Sequence, residues 1–244
     1  MSDVIIQASN LSRRFGNFVA VDNITFEVRS GEIFGFLGAN GAGKTTAMRI
    51  LCGLLAPSSG SATVCGYDVA TQSEQVKLNI GYMSQRFSLF DDLSVWDNIS
   101  FYAGIYKMSR AQIKDAGNTM LDKLELSKYK NRLVGSLPLG WKQKLAFAIA
   151  IIHKPQLVFL DEPTGGVDPI TRRAFWDMLY AAAIEGITIF VTTHYLDEAE
   201  YCDRISIMVN GKIGALGTPL ELKEQFKVLS IYDVILALAR GEEA

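Results

Sequence analysis

Residues 32–46 read EIFGFLGANGAGKTT, and this stretch determines the fold class of the chain. Its first six residues are apolar almost throughout, which is typical of a parallel strand buried on both faces. The next eight match the pattern G-x-x-x-x-G-K-[ST], and a helix is predicted to follow over residues 46–54. A phosphate-binding loop between a buried strand and a helix is therefore predicted.

The loop has the chemistry that a nucleotide phosphate needs. Glycines let successive backbone N–H groups turn toward phosphate oxygens at the positive end of the helix dipole. Lys44, which we expect to be an exposed loop residue, adds a cation, and Thr45 adds a hydroxyl for Mg²⁺. The candidate nucleotide-binding residues are Gly38, Asn40, Gly41, Ala42, Gly43, Lys44, Thr45 and Thr46.

Apolar runs elsewhere predict the rest of an α/β fold. Buried parallel strands are predicted at 157–160, 188–191 and 205–209, and helices at 142–152 and 171–185. Residues 4–8, 19–28 and 62–64 alternate polar and apolar positions, which favours a small antiparallel sheet. Helical patterns dominate residues 87–152. We expect a single domain, residues 1–244, with a nucleotide-binding core at 1–86 and 153–244 and an inserted helical subdomain at 87–152.

Composition excludes several other classes of protein. The 244 residues carry a net charge of −2, and 49% are hydrophobic and 20% charged, which is ordinary globular usage. Without a basic run, nucleic acid is not expected as a partner. Neither a secretory leader nor a membrane-spanning segment is expected, because the apolar runs are too short. We interpret Cys52, Cys65 and Cys202 as reduced apolar fillers.

Two acidic residues follow the run at 157–160. Asp161 and Glu162 on their own would be common capping chemistry at a strand end. Beside a phosphate-binding loop they predict a Mg²⁺ ligand, Asp161, and a general base, Glu162, that activates a water toward the γ-phosphate.

With these motifs in this order, the whole chain resembles the nucleotide-binding subunits of ABC transporters, in particular the drug-export and ABC-2 type branch. The resemblance implies ATP and Mg²⁺ as cofactors and adenine stacking on Phe15. It also implies that Gln85 in GYMSQ touches the metal or the water, that Asp168 in TGGVDP makes a dimer contact, and that His194 in FVTTHYLDEAE reaches the γ-phosphate.

For some of these residues, a purely structural role is an alternative to a role at the nucleotide site. On spacing alone Phe15 would be a half-buried core residue, and Phe18 competes for the adenine. His153, between a predicted helix end and Pro155, is interpreted as a C-terminal helix cap that favours the helix dipole.

The family's signature motif is altered in this chain. Where the family has Leu-Ser-Gly-Gly-Gln, residues 137–141 read Leu-Pro-Leu-Gly-Trp. This segment closes on the nucleotide of the opposite subunit in the family, so Gly140 is a candidate contact in trans. Proline suits the first turn of a helix, so we expect the helix start to survive without the serine hydroxyl.

The resemblance implies a dimerising ATPase that powers membrane subunits of an exporter from the cytoplasmic face of the inner membrane. Its partners would be those transmembrane subunits and a second cassette, identical or different. Phe87 and Phe90 are candidate contacts to the membrane subunits, whereas Leu93, Trp96 and Ile99 favour the core stripe of a helix. Two alternatives stay open: a soluble ABC ATPase acting on ribosomes or DNA, and an ATP-binding regulatory cassette with little turnover.

Overall fold

The computed structural model describes residues 3–85 and 89–240, which form two sheets flanked by helices. The strands are Val4–Phe15 (β1), Phe18–Arg29 (β2), Ile33–Leu37 (β3), Ser59–Val64 (β4), Tyr67–Asp68 (β5), Ile80–Met83 (β6), Leu157–Asp161 (β7), Thr188–Thr193 (β8), Arg204–Val209 (β9) and Lys212–Gly217 (β10). The α-helices are Lys44–Leu51 (α1), Ser73–Asn79 (α2), Val95–Ile105 (α3), Arg110–Lys123 (α4), Leu139–Ala150 (α5), Pro169–Ile184 (α6), Pro219–Gln225 (α7) and Ile231–Ala239 (α8). Short 3₁₀ helices cover Ser127–Tyr129, Val134–Ser136 and Leu196–Tyr201.

The larger sheet has the strand order β10-β9-β3-β8-β7-β6. All of its pairings are parallel except β9 with β10. Every residue of β3, β7 and β8 is buried, as their apolar runs predict. The smaller sheet, in the order β2-β1-β4-β5, is antiparallel. The predicted fold class is confirmed.

Aromatic side chains join the two sheets. Phe26 of β2 packs against Phe34 and Phe36 of β3, with ring centroids 5.8 and 5.6 Å apart, and against Phe190 of β8 at 6.4 Å. Phe34, Phe36 and Phe190 are completely buried. This packing fixes the antiparallel sheet beside the strand that leads into the phosphate loop.

The helical part has a hydrophobic cluster of its own, built from side chains between Val95 and Ile152. Ser94 caps α3, and Ser109 caps α4 in a capping box with Gln112. Ile99 is buried in this cluster and Trp96 packs against it, so the core-stripe interpretation is confirmed for both. It was wrong for Leu93, which is half-buried and precedes α3.

Several elements differ from the predicted ones. β6 and β10 were not predicted, because β6 is short and β10 is a partly exposed edge strand interrupted by Gly214. α1 ends at Leu51 rather than at residue 54, because Gly53 takes a left-handed conformation at φ +66° directly after the cap. None of the helices in residues 3–85 and 89–240 has the length and hydrophobicity of a membrane span.

Candidate functional site

The candidate site lies where four neighbouring parallel strands end. In the order β3-β8-β7-β6, these strands lead respectively into the phosphate loop, His194, Glu162 and Gln85. Because parallel strands end at one edge of the sheet, this order brings together residues up to 150 positions apart.

The phosphate loop is shaped by close backbone approach. Gly43, at φ +105°, precedes α1, and a Cβ on it would lie 2.2 Å from the carbonyl oxygen of Ala20. A Cβ on Gly38 would lie 2.5 Å from the carbonyl oxygen of Met208. Both glycines are therefore required by the contacts of the loop with β2 and β9. Within the loop, the N–H of Ala42 donates to the carbonyl of Ala39 at 3.1 Å, while Asn40 and Gly41 are exposed and Thr46 is half-buried.

Lys44 is buried, so the prediction of an exposed Lys44 was wrong. Its side chain is 4% exposed, because Nζ folds back over the loop. Nζ donates to the carbonyl oxygens of Gly38 at 2.7 Å and Ala39 at 3.1 Å, and it lies 3.6 Å from Glu162 Oε1. Burial lowers the pKa of Lys44, and the charges of Glu162 and Asp161 partly offset this.

The candidate metal ligands lie next to this lysine. Thr45 Oγ1 donates to Asp161 Oδ1 at 3.1 Å, and Thr192 Oγ1 donates to the same oxygen at 2.7 Å. Among the residues that the structure describes, no group of three or more His, Cys, Asp and Glu side chains would hold a metal ion by itself. A hydroxyl, one carboxylate and the amide of Gln85 fit Mg²⁺, which usually takes one or two carboxylates and completes its shell with waters and phosphates.

Glu162 is the centre of the arrangement. Its carboxylate is 9% exposed. Gln85 Nε2 donates to Oε2 at 3.0 Å, and His194 Nδ1 lies 3.1 Å from the same oxygen. With Lys44 near Oε1, three side chains from three loops surround one acid. Such a carboxylate is suited to accept a proton from a water at the strand ends.

Phe15 and Phe18 are both exposed, at 47% and 63%, so the prediction of a half-buried Phe15 on spacing alone was wrong. The two residues face each other across the β1–β2 hairpin. Phe18 is two residues before Ala20, about 7 Å along the strand, and Ala20 contacts Gly43. Either ring is therefore near the loop. Arg13 stacks on the Phe15 ring at 4.7 Å and donates to the carbonyl of Ala56 at 2.8 Å.

Gly140 and Asp168 do not lie beside Glu162. Both line a cavity of about 460 Å³ between the starts of α5 and α6. Pro138 is the N-cap of α5, one position before the helical turn where it was predicted, and it offers no side-chain acceptor. Asp168 caps α6 by accepting from the N–H groups of Ile170 and Thr171 and from Thr171 Oγ1 at 3.0, 3.0 and 2.5 Å. The bonds from Thr171 lower the pKa of Asp168.

His153 is not a helix cap. The C-cap of α5 is Ile151, while the His153 ring stacks on Tyr106 at 3.5 Å and its Nε2 lies 3.2 Å from the carbonyl oxygen of Ile80. Burial lowers the pKa of His153 to about 4. The ring is therefore neutral at pH 7 and adds no charge to the helix dipole. Cys52 and Cys202 are buried free thiols, and Cys65 is half-buried.

Phe87 lies outside the described residues. Phe90, 41% exposed, contacts Phe101 and Tyr102 at centroid distances of 5.1 and 6.2 Å, and Phe101 is 47% exposed. We name Phe90, Phe101 and Tyr102 the aromatic face.

Sequence reasoning missed a set of buried polar residues around the site, namely Gln143, Thr164, Thr192, Thr193 and Glu198, all 0% exposed. Gln143 of α5 donates through Nε2 to the carbonyl of Pro163, directly after Glu162. Its position could have been predicted, because residues 143, 146, 147 and 150 form one helical stripe. The threonines end an apolar strand or follow the acids, and no periodicity marks them.

The fold and the site define a P-loop NTPase. The chain belongs to the ABC transporter family, whose model matches residues 21–165, more than half of its length. It is an ATP-binding cassette, as its motifs predict. A solved structure described as "Structure of ATP binding subunit of ABC transporter" superposes with a TM-score of 0.87 at 27% identity, over 96% of this chain and 99% of the other.

Two curated relatives are similar over most of the chain. The "Probable multidrug ABC transporter ATP-binding protein YbhF" of Escherichia coli (strain K12) is 45% identical over 91% of this chain and 39% of its own length. The "Nod factor export ATP-binding protein I" of Rhizobium sp. (strain N33) is 37% identical over 92% of this chain and 74% of its own length. The chain thus spans less than half of the Escherichia coli protein.

Proposed function

We propose that the chain binds Mg-ATP and hydrolyses it through Glu162, as one cassette of a dimer that powers a membrane exporter. The observation that supports this most directly is the contact of Glu162 with Lys44, Gln85 and His194, beside the Thr45–Asp161 pair. The division into a core and a helical subdomain at residues 87–152 is part of this proposal.

Each residue has a separate task in this proposal. Lys44 and the start of α1 hold the phosphates, and Thr45, Asp161 and Gln85 hold Mg²⁺, which neutralises phosphate charge when bound. Glu162 takes the proton of the attacking water, and His194 stabilises charge on the γ-phosphate. Phe15 stacks on the adenine, with Arg13 on the other face of its ring.

The export role is supported by the names of the relatives, which are a multidrug transporter protein and a Nod factor export protein. The partners would be transmembrane subunits or domains and a second cassette, which Asp168 and, in trans, Gly140 contact. The location would be the cytoplasmic face of the inner membrane. The aromatic face follows Gln85 in sequence, its Phe90 and Phe101 are exposed, and it would receive the membrane subunits.

Glu162→Gln tests the hydrolytic role. The amide keeps the shape of the side chain but is a far weaker base, so Mg-ATP binding should remain and turnover should stop. Nucleotide titration and phosphate release of the purified variant measure the two quantities. Glu185→Gln, an exposed acid 64% accessible at the end of α6, is the matched control and should change neither. Turnover of Glu162→Gln at the parent rate would mean that another group activates the water.

A regulatory cassette with little turnover is the second candidate, and the observation in its favour is Pro138, which gives α5 no side-chain cap or hydroxyl. Measured ATP hydrolysis by the parent chain would exclude it. Co-sedimentation with membranes rather than with ribosomes would separate the exporter from a soluble ABC ATPase.

A further inference from the structure

A second group of hydrogen bonds lies next to the loop of the catalytic carboxylate and centres on Glu198. This side chain, in the 3₁₀ helix Leu196–Tyr201, is 0% exposed. Thr164 Oγ1 donates to Glu198 Oε1 at 2.6 Å, and Thr193 Oγ1 donates to Oε2 at 2.5 Å. Each carboxylate oxygen therefore accepts a hydrogen bond from a different, fully buried threonine.

Thr164 lies in the loop after β7, and Thr193 is the last residue of β8, where the loop of His194 begins. Thr164 is two residues after Glu162, and Thr193 directly precedes His194. The direction of one bond follows from its neighbour, because Thr193 Oγ1 accepts from the N–H of Tyr195 at 3.0 Å and so directs its own proton to Glu198. Glu198 thus links the position of one loop to that of the other.

A cation from a third element completes the group. Arg172 of α6 has its Nε 3.8 Å from Glu198 Oε1 and its Nη1 3.3 Å from Asp197 Oδ2. Its guanidinium lies 3.9 Å over the ring of Tyr195, and that ring lies 4.3 Å from the ring of His194. A buried carboxylate needs a partner of this kind, since an unpaired buried charge is strongly disfavoured.

We infer that Glu198 is a positioning residue for hydrolysis. Its carboxylate holds the loop of Glu162 and the loop of His194 at a fixed separation, which keeps Glu162 Oε2 near His194 Nδ1. Because Glu198 is 0% exposed, we place its action on the two loops rather than on the nucleotide. This inference rests on the proposed function, in which Glu162 is the base.

Two substitutions with matched shapes test the role by kinetics. Glu198→Gln keeps the shape but lacks one acceptor and the charge, and Thr164→Val removes only the hydroxyl. Both should lower kcat by roughly 10- to 100-fold, as small misplacements of catalytic groups do, while the Kd for Mg-ATP changes less than about threefold. Thr164→Ser restores the hydroxyl and should recover most of the kcat that Thr164→Val loses.

Hydrogen exchange tests the same role without turnover. In Glu198→Gln the backbone amides at residues 164–166 and 193–198 should exchange faster, while those of α1 should not. Glu32→Gln is the control, because the Glu32 side chain is only 10% exposed and lies 3.1 Å from Arg204, but it directly precedes β3, at the end of that strand away from the site. It should change neither kcat nor the exchange of these two loops.

The outcomes separate this inference from the proposed function. An unchanged kcat, or unchanged exchange in both loops, in Glu198→Gln would overturn the positioning role. A loss of kcat no larger than the losses of folded fraction and ATP affinity would also overturn the positioning role, because such a loss indicates general destabilisation. If Glu162→Gln also turns over at the parent rate, the proposed function fails, and the exchange data alone decide on Glu198.

Discussion

Glu162 adopts a left-handed backbone conformation, at φ +48°, which is unusual for a glutamate. Such a conformation costs of the order of 1 kcal/mol and persists where the surroundings over-determine it. Here the N–H of Glu162 donates to the carbonyl and the hydroxyl of Thr192, at 3.1 and 3.0 Å. Strand β8 thereby fixes the backbone direction at Glu162, which directly follows β7.

Lys44→Ala should lower the affinity for Mg-ATP by more than about tenfold, because it removes the cation at the phosphate loop. It should also lower the free energy of unfolding by about 1–3 kcal/mol, since two carbonyls lose their donor and a buried carboxylate loses a cation. Fluorescent-nucleotide titration and urea unfolding measure these effects.

The matched control for this substitution is Lys212→Ala, whose side chain is 67% exposed and pairs with Asp22 at 3.3 Å. An exposed pair of this kind contributes little, so both quantities should stay near the parent values. Unchanged ATP affinity in folded Lys44→Ala would contradict the assignment of the phosphate loop.

At the scale of the elements, the start of α5 is where the proposed function places the contact with a second cassette. Pro138 leaves the first turn without a side-chain acceptor, but Trp141 and Lys142 still donate to its carbonyl at 3.0 and 3.1 Å, so the helix forms. The N–H groups of Leu139 and Gly140, the first two residues of the helix, have no acceptor within it and remain suited to a phosphate. The isolated chain should bind ATP normally but dimerise poorly and hydrolyse slowly.

Pro138→Ser combined with Leu139→Gly should raise ATP-dependent dimerisation. A hydroxyl bond to a charged phosphate oxygen is worth about 1.5–3 kcal/mol, or roughly 10- to 150-fold in affinity. Sedimentation with and without Mg-ATP measures the dimer. The control, Pro138→Ala with Leu139→Gly, lacks only the hydroxyl. Equal dimerisation of the two variants would show that a hydroxyl at position 138 makes no bond to the phosphate.

At the scale of the whole molecule, His153 joins the helical part to the main sheet through Tyr106 and Ile80. Its pKa falls from an ordinary 6.5 to about 4 in the fold, so the unfolded chain binds a proton that the folded chain does not. Stability is therefore unaffected above about pH 6.5 and falls as the pH drops from there to 4. The loss is at most about 2–3 kcal/mol, because the ring is partly solvated.

His153→Phe keeps a ring to stack on Tyr106 but does not titrate, so its stability should fall less steeply between pH 6.5 and 4. Urea unfolding at several pH values measures the slope. The loss of the contact with Ile80 lowers the free energy of unfolding at every pH and therefore does not change the slope. Equal slopes in the parent and the variant would mean that other groups cause the acid sensitivity.

Local sequence determined the phosphate loop, the buried strands and the family, because each is recorded in a short run of residues. The phosphate loop, residues 38–45, is recognised from its own residue spacing and from the apolar strand before it. The predominance of helices between residues 95 and 150 was likewise predictable from the period of the apolar residues.

Only the tertiary structure decided which of these residues meet and how deeply they lie. Strand order is not written in any local run, yet it brings Lys44, Gln85 and His194 to Glu162 and buries the lysine that its loop position predicted as exposed. The same holds for Glu198, whose two hydroxyl partners come from the ends of adjacent strands. A buried polar side chain is selected by its partners across the fold, and the sequence alone does not show those partners.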